Sequence, residues 1–289
     1  MNILVPTDFS DLSIKALTVA SSYARLFDGK VHLLHSHVSF ADLDETYSIG
    51  MGASSLKNVE EVENVIKDKL RELAAEHVDE SARGDVLIAQ GNPAYSITEF
   101  AKEMDVIVMS THGRTGFQRF LLGSVAEKVL RTSTVPVIVV EDESDVDAFA
   151  EIVVTTDFSE NSTLAFDHAK KIAQKTGGKL RLVHVLSYDQ IDENQSHKSV
   201  RDSRKNTLQE FADKWFGDMK EQVEPVMFST SKSPQEAIVK HLENRPANLL
   251  VISTVGRTGL DYLMMGSTTA SVARHTKTAV MSIPPKRNE

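Results

Sequence analysis

The sequence predicts an α/β fold made of two tandem, doubly wound parallel sheets of five strands each, with helices on both faces. Apolar strand patterns alternate with amphipathic helix patterns along the chain. The run Val106–Met109 is apolar at every position, as is typical of a strand in a parallel sheet covered on both faces. The pattern then recurs, because Asp8 and Asp157 lie 149 residues apart and Lys30–His35 matches Lys179–His184 at the same offset. The chain is therefore predicted to contain two copies of one unit.

The first unit is predicted to contain five strands with four helices between them. The predicted strands are Ile3–Val5, Val31–His37, Val86–Ala89, Val106–Met109 and Val135–Val140. The predicted helices are Ile14–Phe27, Val59–Leu73, Ala94–Met104 and Val125–Arg131. The segment Ser39–Ser55 has no clear period and contains Gly50-Met51-Gly52, so we predict a mobile loop there.

The second unit repeats this order. Its first predicted strand, Ile152–Val154, leads into a Thr-Asp-Phe-Ser turn, and its last strand includes Val280–Ile283. Leu208, Phe211 and Trp215 are predicted to line the inner side of its long helix. We predict a first domain at residues 1–143, an acidic, solvated linker at 144–150 and a second domain at 151–289.

Length and composition are those of an ordinary globular protein. The 289 residues are enough for two domains, each with its own core. The chain contains no cysteine, which excludes disulfides and thiolate metal sites. No apolar run has membrane-spanning length, no signal-peptide pattern is present, and the formal charge of -9 argues against a broad nucleic-acid surface. We expect a cytoplasmic protein with neither a nucleic-acid nor a membrane partner.

Two loops of each unit carry the functional signal. In the first unit they are the Asp8 turn after strand one and the glycine-containing loop Ser110–Ser124 after strand four, which recurs as Ser253–Ser267. Glycines allow a backbone to approach an anion closely, and the helix behind Gly123 offers free N–H groups and a positive dipole end. If strands one and four are neighbours, both loops meet at the crevice where open α/β sheets usually bind ligands.

The two loops resemble those of the universal stress protein family, over nearly the whole chain. Nucleotide-binding members carry Pro-Thr-Asp after strand one and Gly-x2-Gly-x9-Gly-[Ser/Thr] after strand four. Pro6-Thr7-Asp8, Gly113 and Gly123-Ser124 match this pattern, whereas Ser110 replaces the first glycine. The resemblance implies the family's fold, which is similar to that of adenine nucleotide alpha hydrolases. It also implies a tandem-domain member of the family.

The resemblance further implies an ATP-binding regulator of stress responses rather than a fast enzyme. The implied ligand is ATP, with or without Mg²⁺, or another adenine nucleotide, and no catalytic or metal-binding residue is assigned. The implied nucleotide-binding residues are Pro6, Thr7, Asp8, Ser36, His37, Ser110, His112, Gly113, Arg114, Gly123, Ser124 and Val125. Members of the family pair through strand five, which implies either a homodimer or an intramolecular pseudo-dimer of Val135–Val140 with Thr278–Ile283.

The second unit departs further from the family pattern. Its candidate site residues are Thr156, Asp157, Val185, Gly256, Arg257, Gly266 and Ser267. Asp261 stands where the first unit has Gln118, and Ser253 again replaces the first glycine. A carboxylate ~5 Å from a phosphate charge would cost roughly 3 kcal/mol at an intermediate dielectric. We therefore expect the first unit to be the better nucleotide site.

Several simpler interpretations remain open. Ser124 and Glu127 have the spacing of a helix capping box, and Asp8 or Ser10 could cap the first helix. His35 and His37 share one face of a strand, but a structural role is favoured over metal binding. Two other functions are also open: a nucleotide-free module that binds a protein or metabolite, suggested by Ser110, and a slow nucleotide hydrolase that uses His112.

Overall fold

The chain forms two compact α/β units, Met1–Val140 and Glu141–Glu289. The computed structural model describes residues 1–37, 54–113, 122–144, 149–192, 194–254 and 267–285. Each unit alternates strands and helices, so the predicted fold class is confirmed.

The elements of the first unit follow the predicted order. Its strands are β1 (Asn2–Pro6), β2 (Lys30–His37), β3 (Arg83–Gln90), β4 (Val106–Ser110) and β5 (Val137–Val140). Its helices are α1 (Asp11–Phe27), α2 (Ser54–His77), α3 (Pro93–Phe100) and α4 (Ser124–Thr132).

The second unit contains the same sequence of elements. Its strands are β6 (Glu151–Thr155), β7 (Lys179–Ser187), β8 (Val223–Thr230), β9 (Leu249–Ser253) and β10 (Ala279–Ile283). Its helices are α5 (Glu160–Thr176), α6 (His197–Phe216), α7 (Pro234–Asn244) and α8 (Ser267–His275).

The strand order of the first unit is β3-β2-β1-β4-β5, with every neighbouring pair parallel. Strands β1 and β4 are adjacent, with Ile3 opposite Val106. The chain runs outward from β1 to β3 and then returns to β4, so the order reverses between β1 and β4. The crevice predicted from the sequence therefore lies beyond the carboxyl ends of these two strands. The second unit has the equivalent order β8-β7-β6-β9-β10.

The core of each unit is formed by the central strands and the helices packed on them. Ile3, Leu4 and Val5 of β1 are each 0% exposed. Apolar side chains on both sides of a strand can all be buried because helices cover both faces of the sheet. Arg181 of β7 is an exception to this apolar pattern, since its side chain is 1% exposed. Its guanidinium donates to the carbonyl oxygens of Arg245 and Pro246, which follow α7, over 2.9 and 2.6 Å.

Some predicted boundaries differ from the structure. Strand β5 begins at Val137 rather than Val135, while the carbonyl of Pro136 still accepts from Ile107 over 2.9 Å. Helix α3 ends at Phe100 and continues as a tighter 3-10 turn at Ala101–Glu103. Helix α2 begins at Ser54, inside the predicted loop, and the rest of that loop lies outside the described residues.

The segment predicted to be a solvated linker contains buried residues. Ser144 and Phe149 are 5% and 1% exposed. The Ser144 hydroxyl donates to the carbonyl of Lys277 over 2.8 Å, and the Lys277 ammonium forms an ion pair with Glu143. The Ser144 bond attaches the start of this segment to the second unit. In the described part of the chain, no helix combines the length and the apolar character needed to span a membrane.

Candidate functional site

The turn after β1 holds the carboxylate of Asp8 in place. Asp8 Oδ1 accepts hydrogen bonds from the backbone N–H of Ser10 over 3.1 Å and from the Ser10 hydroxyl over 2.6 Å. The Ser10 side chain also accepts from the N–H of Ser13 over 3.3 Å, which makes it the N-cap of α1. Of the two possible caps, Ser10 therefore caps the helix, and its N–H and hydroxyl orient the carboxylate of Asp8.

Thr7 and Phe9 support this turn from both sides of Asp8. Thr7 is 8% exposed, and its hydroxyl lies 2.8 Å from the hydroxyl of Ser13 and accepts from the N–H of Phe9 over 3.0 Å. Phe9 has a φ of 65°, a left-handed conformation that is uncommon for a bulky residue. The Thr7 hydroxyl thus makes its hydrogen bonds within the turn. These bonds help to hold Phe9 in its unfavourable conformation.

The second unit contains the same turn. Asp157 Oδ1 accepts from the N–H and hydroxyl of Ser159 over 2.9 and 2.5 Å. Thr156 accepts from the N–H of Phe158 over 3.0 Å, and Phe158 has a φ of 67°. The two Asp turns therefore do not explain a difference in ligand binding between the units.

Gly113 lies directly against Asp8. A Cβ atom built on Gly113 would overlap Oδ2 of Asp8 and would lie 3.1 Å from its Cγ. A side chain at position 113 would force the Asp8 carboxylate to turn, and this would disturb its bonds with Ser10. Glycine is thus needed for close approach of the backbone to the carboxylate. The structure brings together the two loops that the sequence predicted to meet.

Gly123 lies at the end of the glycine-containing loop and directly precedes α4. Its N–H donates to the carbonyl of Thr111 over 2.7 Å, and a Cβ atom there would lie 3.0 Å from the same oxygen. Gly123 is the N-cap, and a glycine has no side chain with which to cap the helix. The predicted capping box is therefore wrong, because Ser124 is the first helical residue rather than the cap. The carboxylate of Glu127 instead accepts from Arg131, one turn further along the helix, over 3.1 Å.

The end of β2 brings His35 and His37 next to the Asp8 turn. The rings of Phe9 and His35 are 4.7 Å apart, and those of His35 and His37 are stacked at 6.5 Å. His35 Nδ1 lies 2.8 Å from the carbonyl of Thr7, and since a carbonyl only accepts, Nδ1 carries a proton. This supports the predicted structural role of His35.

His37 and Ser36 also face the neighbouring strand end. His37 Nε2 is buried and has no hydrogen-bond partner within the described part of the chain. The carbonyl of His37 accepts from the N–H of Gly91 over 3.0 Å, and the Ser36 hydroxyl donates to the Gly91 carbonyl over 3.3 Å. Gly91 has a φ of 102°, so this close turn requires glycine.

The remaining predicted site residues are only partly described. Pro6 ends β1, Ser110 ends β4, and His112 follows with its Nδ1 3.1 Å from the Thr111 hydroxyl. Val125 lies half-buried in the first turn of α4. In the second unit Val185 lies in β7 and Ser267 begins α8. Arg114, Gly256, Arg257, Gly266 and Asp261 lie outside the described residues. No group of three or more His, Cys, Asp or Glu side chains in the described ranges is arranged to hold a metal ion.

Sequence reasoning missed the part played by Phe9 and Phe158. A phenylalanine gives no signal for a left-handed conformation, since glycine, asparagine and aspartate are the usual residues there. The available signal was the repeat itself, because Thr-Asp-Phe-Ser occurs at the same place in both units.

Comparisons with a family profile and with individual proteins identify the same family. A sequence profile described as the Universal stress protein family matches residues 1–141 and 148–284. A universal stress protein of Methanocaldococcus jannaschii is 38% identical over 143 residues, covering 48% of this chain and 81% of that protein. A universal stress protein of Mycolicibacterium smegmatis is 24% identical over 295 residues, covering 98% of this chain and 97% of the other.

A solved structure has the same fold over the full length. The crystal structure of a universal stress protein from Archaeoglobus fulgidus has a TM-score of 0.68 and 23% identity, with coverage of 100% of this chain and 97% of that one. The profile matches once in each half of the chain and together these matches span most of it. The chain therefore belongs to the universal stress protein family and contains two domains of that family in tandem.

Proposed function

We propose that the first unit binds an adenine nucleotide, with ATP as the expected ligand, and that the chain acts as a nucleotide-responsive regulator in a stress response. The observation that carries this proposal is the contact of Gly113 with the carboxylate of Asp8. A carboxylate accepts hydrogen bonds from both hydroxyls of a ribose, and a bare glycine backbone beside it leaves room for the sugar.

The start of α4 supports a phosphate position near the same loop. Its N-cap, Gly123, has no side chain to occupy the first-turn N–H groups, and it lies beside Thr111 and His112. Such N–H groups and the helix dipole favour a negatively charged group. A nucleotide with its ribose at Asp8 and its phosphates at the start of α4 would use both features. His37 Nε2, buried without a partner in the described residues, offers a polar contact for the base.

We further propose that the first unit is the stronger site. The Asp157 turn has the same hydrogen bonds as the Asp8 turn, so the difference must come from the loop after strand four. In that loop the second unit has Asp261 and Tyr262 where the first has Gln118 and Arg119. The first unit therefore has a positive charge in this pair of positions, whereas the second unit has a negative charge. The negative charge disfavours binding of a phosphate group.

Two matched substitutions test this proposal. Asp8→Asn keeps an oxygen that accepts from Ser10 but loses the charge and one acceptor for the ribose hydroxyls. We expect ATP to bind the Asp8→Asn variant about 10-fold or more weakly by isothermal titration calorimetry, since a hydrogen bond to a charged group contributes about 1.5–3 kcal/mol. Asp157→Asn makes the same change in the second unit and should leave the affinity unchanged.

Native mass spectrometry of the purified chain gives the stoichiometry. One bound ATP, lost in the Gly123→Val variant, is the expected result. Two bound nucleotides, or loss on Asp157→Asn alone, would contradict the assignment to the first unit. No binding by the wild type at millimolar ATP would overturn the nucleotide proposal and leave the nucleotide-free interaction module. Phosphate release that stops in His112→Ala while binding persists would instead identify a slow hydrolase.

A further inference from the structure

Lys69 connects α2 to the Asp8 turn. Its ammonium lies 4.5 Å from the centroid of the Phe9 ring. A cation within about 6 Å of an aromatic face is attracted by the electrons of the ring. The ring of His35 lies 4.7 Å from the ring of Phe9, so groups from α2 and from β2 both contact the same phenylalanine.

Phe9 is the residue through which such a contact can reach the carboxylate. It lies between Asp8 and Ser10 in the chain, so both hydrogen bonds from Ser10 to Asp8 Oδ1 close a turn that contains Phe9. Its left-handed φ of 65° persists only if the surroundings hold it in place. A rotation at Phe9 would move Ser10 relative to Asp8, and the carboxylate would then turn relative to Gly113.

The second unit has a cation at the corresponding ring. The Arg204 guanidinium of α6 lies 5.8 Å from the centroid of Phe158, which is also in a left-handed conformation. The ring of His184 lies 4.1 Å from that of Phe158, as His35 lies next to Phe9. The arrangement of a left-handed phenylalanine, a strand histidine and a cation from the long helix therefore occurs twice in one chain.

We propose that Lys69 is a positioning residue for Asp8. By holding the Phe9 ring, its ammonium keeps the Asp8 carboxylate in the orientation that receives the ribose. This inference rests on the proposed nucleotide site of the first unit. It makes the affinity of that site dependent on the placement of α2.

The first test compares three variants by ATP titration. Lys69→Met keeps an unbranched side chain but removes the charge, and we expect about 2- to 5-fold weaker ATP binding, the range of an exposed cation–π contact. Lys69→Arg should restore binding to the wild-type affinity. Arg204→Met removes the corresponding cation of the second unit and should leave ATP affinity unchanged. Wild-type affinity in Lys69→Met, or equal losses in Lys69→Met and Arg204→Met, would overturn the inference.

A second readout needs no ligand. The N–H of Ser10 donates to Asp8, so its amide resonance reports the orientation of the carboxylate. We expect Lys69→Met, but not Lys69→Arg, to shift the Ser10 resonance, while Arg204→Met shifts that of Ser159 instead. An unshifted Ser10 resonance would overturn the positioning role. If the wild type bound no ATP while Ser10 still shifted, the proposed function would fail and Lys69 would remain a residue that orients Asp8.

Discussion

The guanidinium of Arg181 donates a hydrogen bond to Nε2 of His241 over 3.1 Å. Because Nε2 accepts this bond, the imidazole is neutral and its proton is on Nδ1. Burial lowers the pKa of His241 below its ordinary value, and the charges of Arg181 and Arg245 lower it further, against a smaller opposing effect of Glu224. Protonation of His241 would break the bond and place two cations side by side.

This relationship predicts that acid weakens the second unit. The unfolded chain binds a proton to His241 at about pH 6.5, whereas the native chain binds it only at a lower pH. Between these two values the unfolded state holds more protons, so the free energy of unfolding should fall as the pH is lowered through this window. Urea unfolding from pH 7.5 to 5, followed by fluorescence of Trp215, the only tryptophan, measures this slope.

The variant His241→Gln should flatten this pH dependence. His168 also has a pKa lowered by burial and then by Lys171, so a smaller slope should remain in His241→Gln. An unchanged slope in His241→Gln would contradict the assignment.

Arg181→Met should destabilise the second unit by about 3 kcal/mol. The substitution removes the charged donor from the carbonyls of Arg245 and Pro246, and a hydrogen bond to a charged group contributes about 1.5–3 kcal/mol. The control is Arg25→Met, because Arg25 is 64% exposed in its pair with Asp79 and should contribute at most about 1 kcal/mol. Urea unfolding measures both variants, and equal losses would show that burial of Arg181 does not set its contribution.

Gly113→Ala should weaken ATP binding by about 10-fold or more. The new methyl group would displace the Asp8 carboxylate from the position proposed to receive the ribose, at about 1.4 kcal/mol for each factor of ten. The control is Gly217→Ala, where a Cβ atom would approach Lys220 no closer than 3.9 Å. Calorimetric titration of both variants tests this prediction. Wild-type affinity in Gly113→Ala would show that the contact between Gly113 and Asp8 is not needed for nucleotide binding.

Ser10→Ala should have two separable effects. Loss of the N-cap of α1 should cost about 1 kcal/mol, as should the equivalent Ser159→Ala at α5. Only Ser10→Ala should also weaken ATP binding, because the Ser10 hydroxyl orients Asp8. Urea unfolding together with ATP titration distinguishes the two effects. Equal ATP affinity in both variants would argue that the Ser10 hydroxyl acts only as a helix cap.

Much of the fold could be predicted from the sequence because strands and helices impose their periods on apolar residues. The apolar run Val106–Met109 gave β4 to within one residue, and the repeat of Asp8 as Asp157 predicted the second unit. Boundaries were less predictable where capping bonds decide them. Ser124 has a capping sequence, yet Gly123 is the cap, because its ψ of 148° is extended and its carbonyl accepts from the N–H of Glu127 over 2.9 Å.

The site itself was only partly predictable, because its geometry depends on contacts between residues that are distant in the chain. The Asp8 turn and the glycine loop could be found from their residue types, and the order of strands brings them together. The cation over Phe9 comes from Lys69, 60 residues further on, and no local pattern announces it. The burial of Arg181 was missed for the same reason, since its partners follow α7.

The Asp8 turn is held together by hydrogen bonds within the chain, from Thr7, Ser10 and Ser13. A ligand that meets a preformed turn loses little entropy to ordering it. Arrival of a nucleotide would then be set by diffusion and orientation rather than by ordering of the turn. Variants that leave the turn intact would differ mainly in residence time, so the lifetime of a complex becomes the quantity that residues outside the turn can adjust.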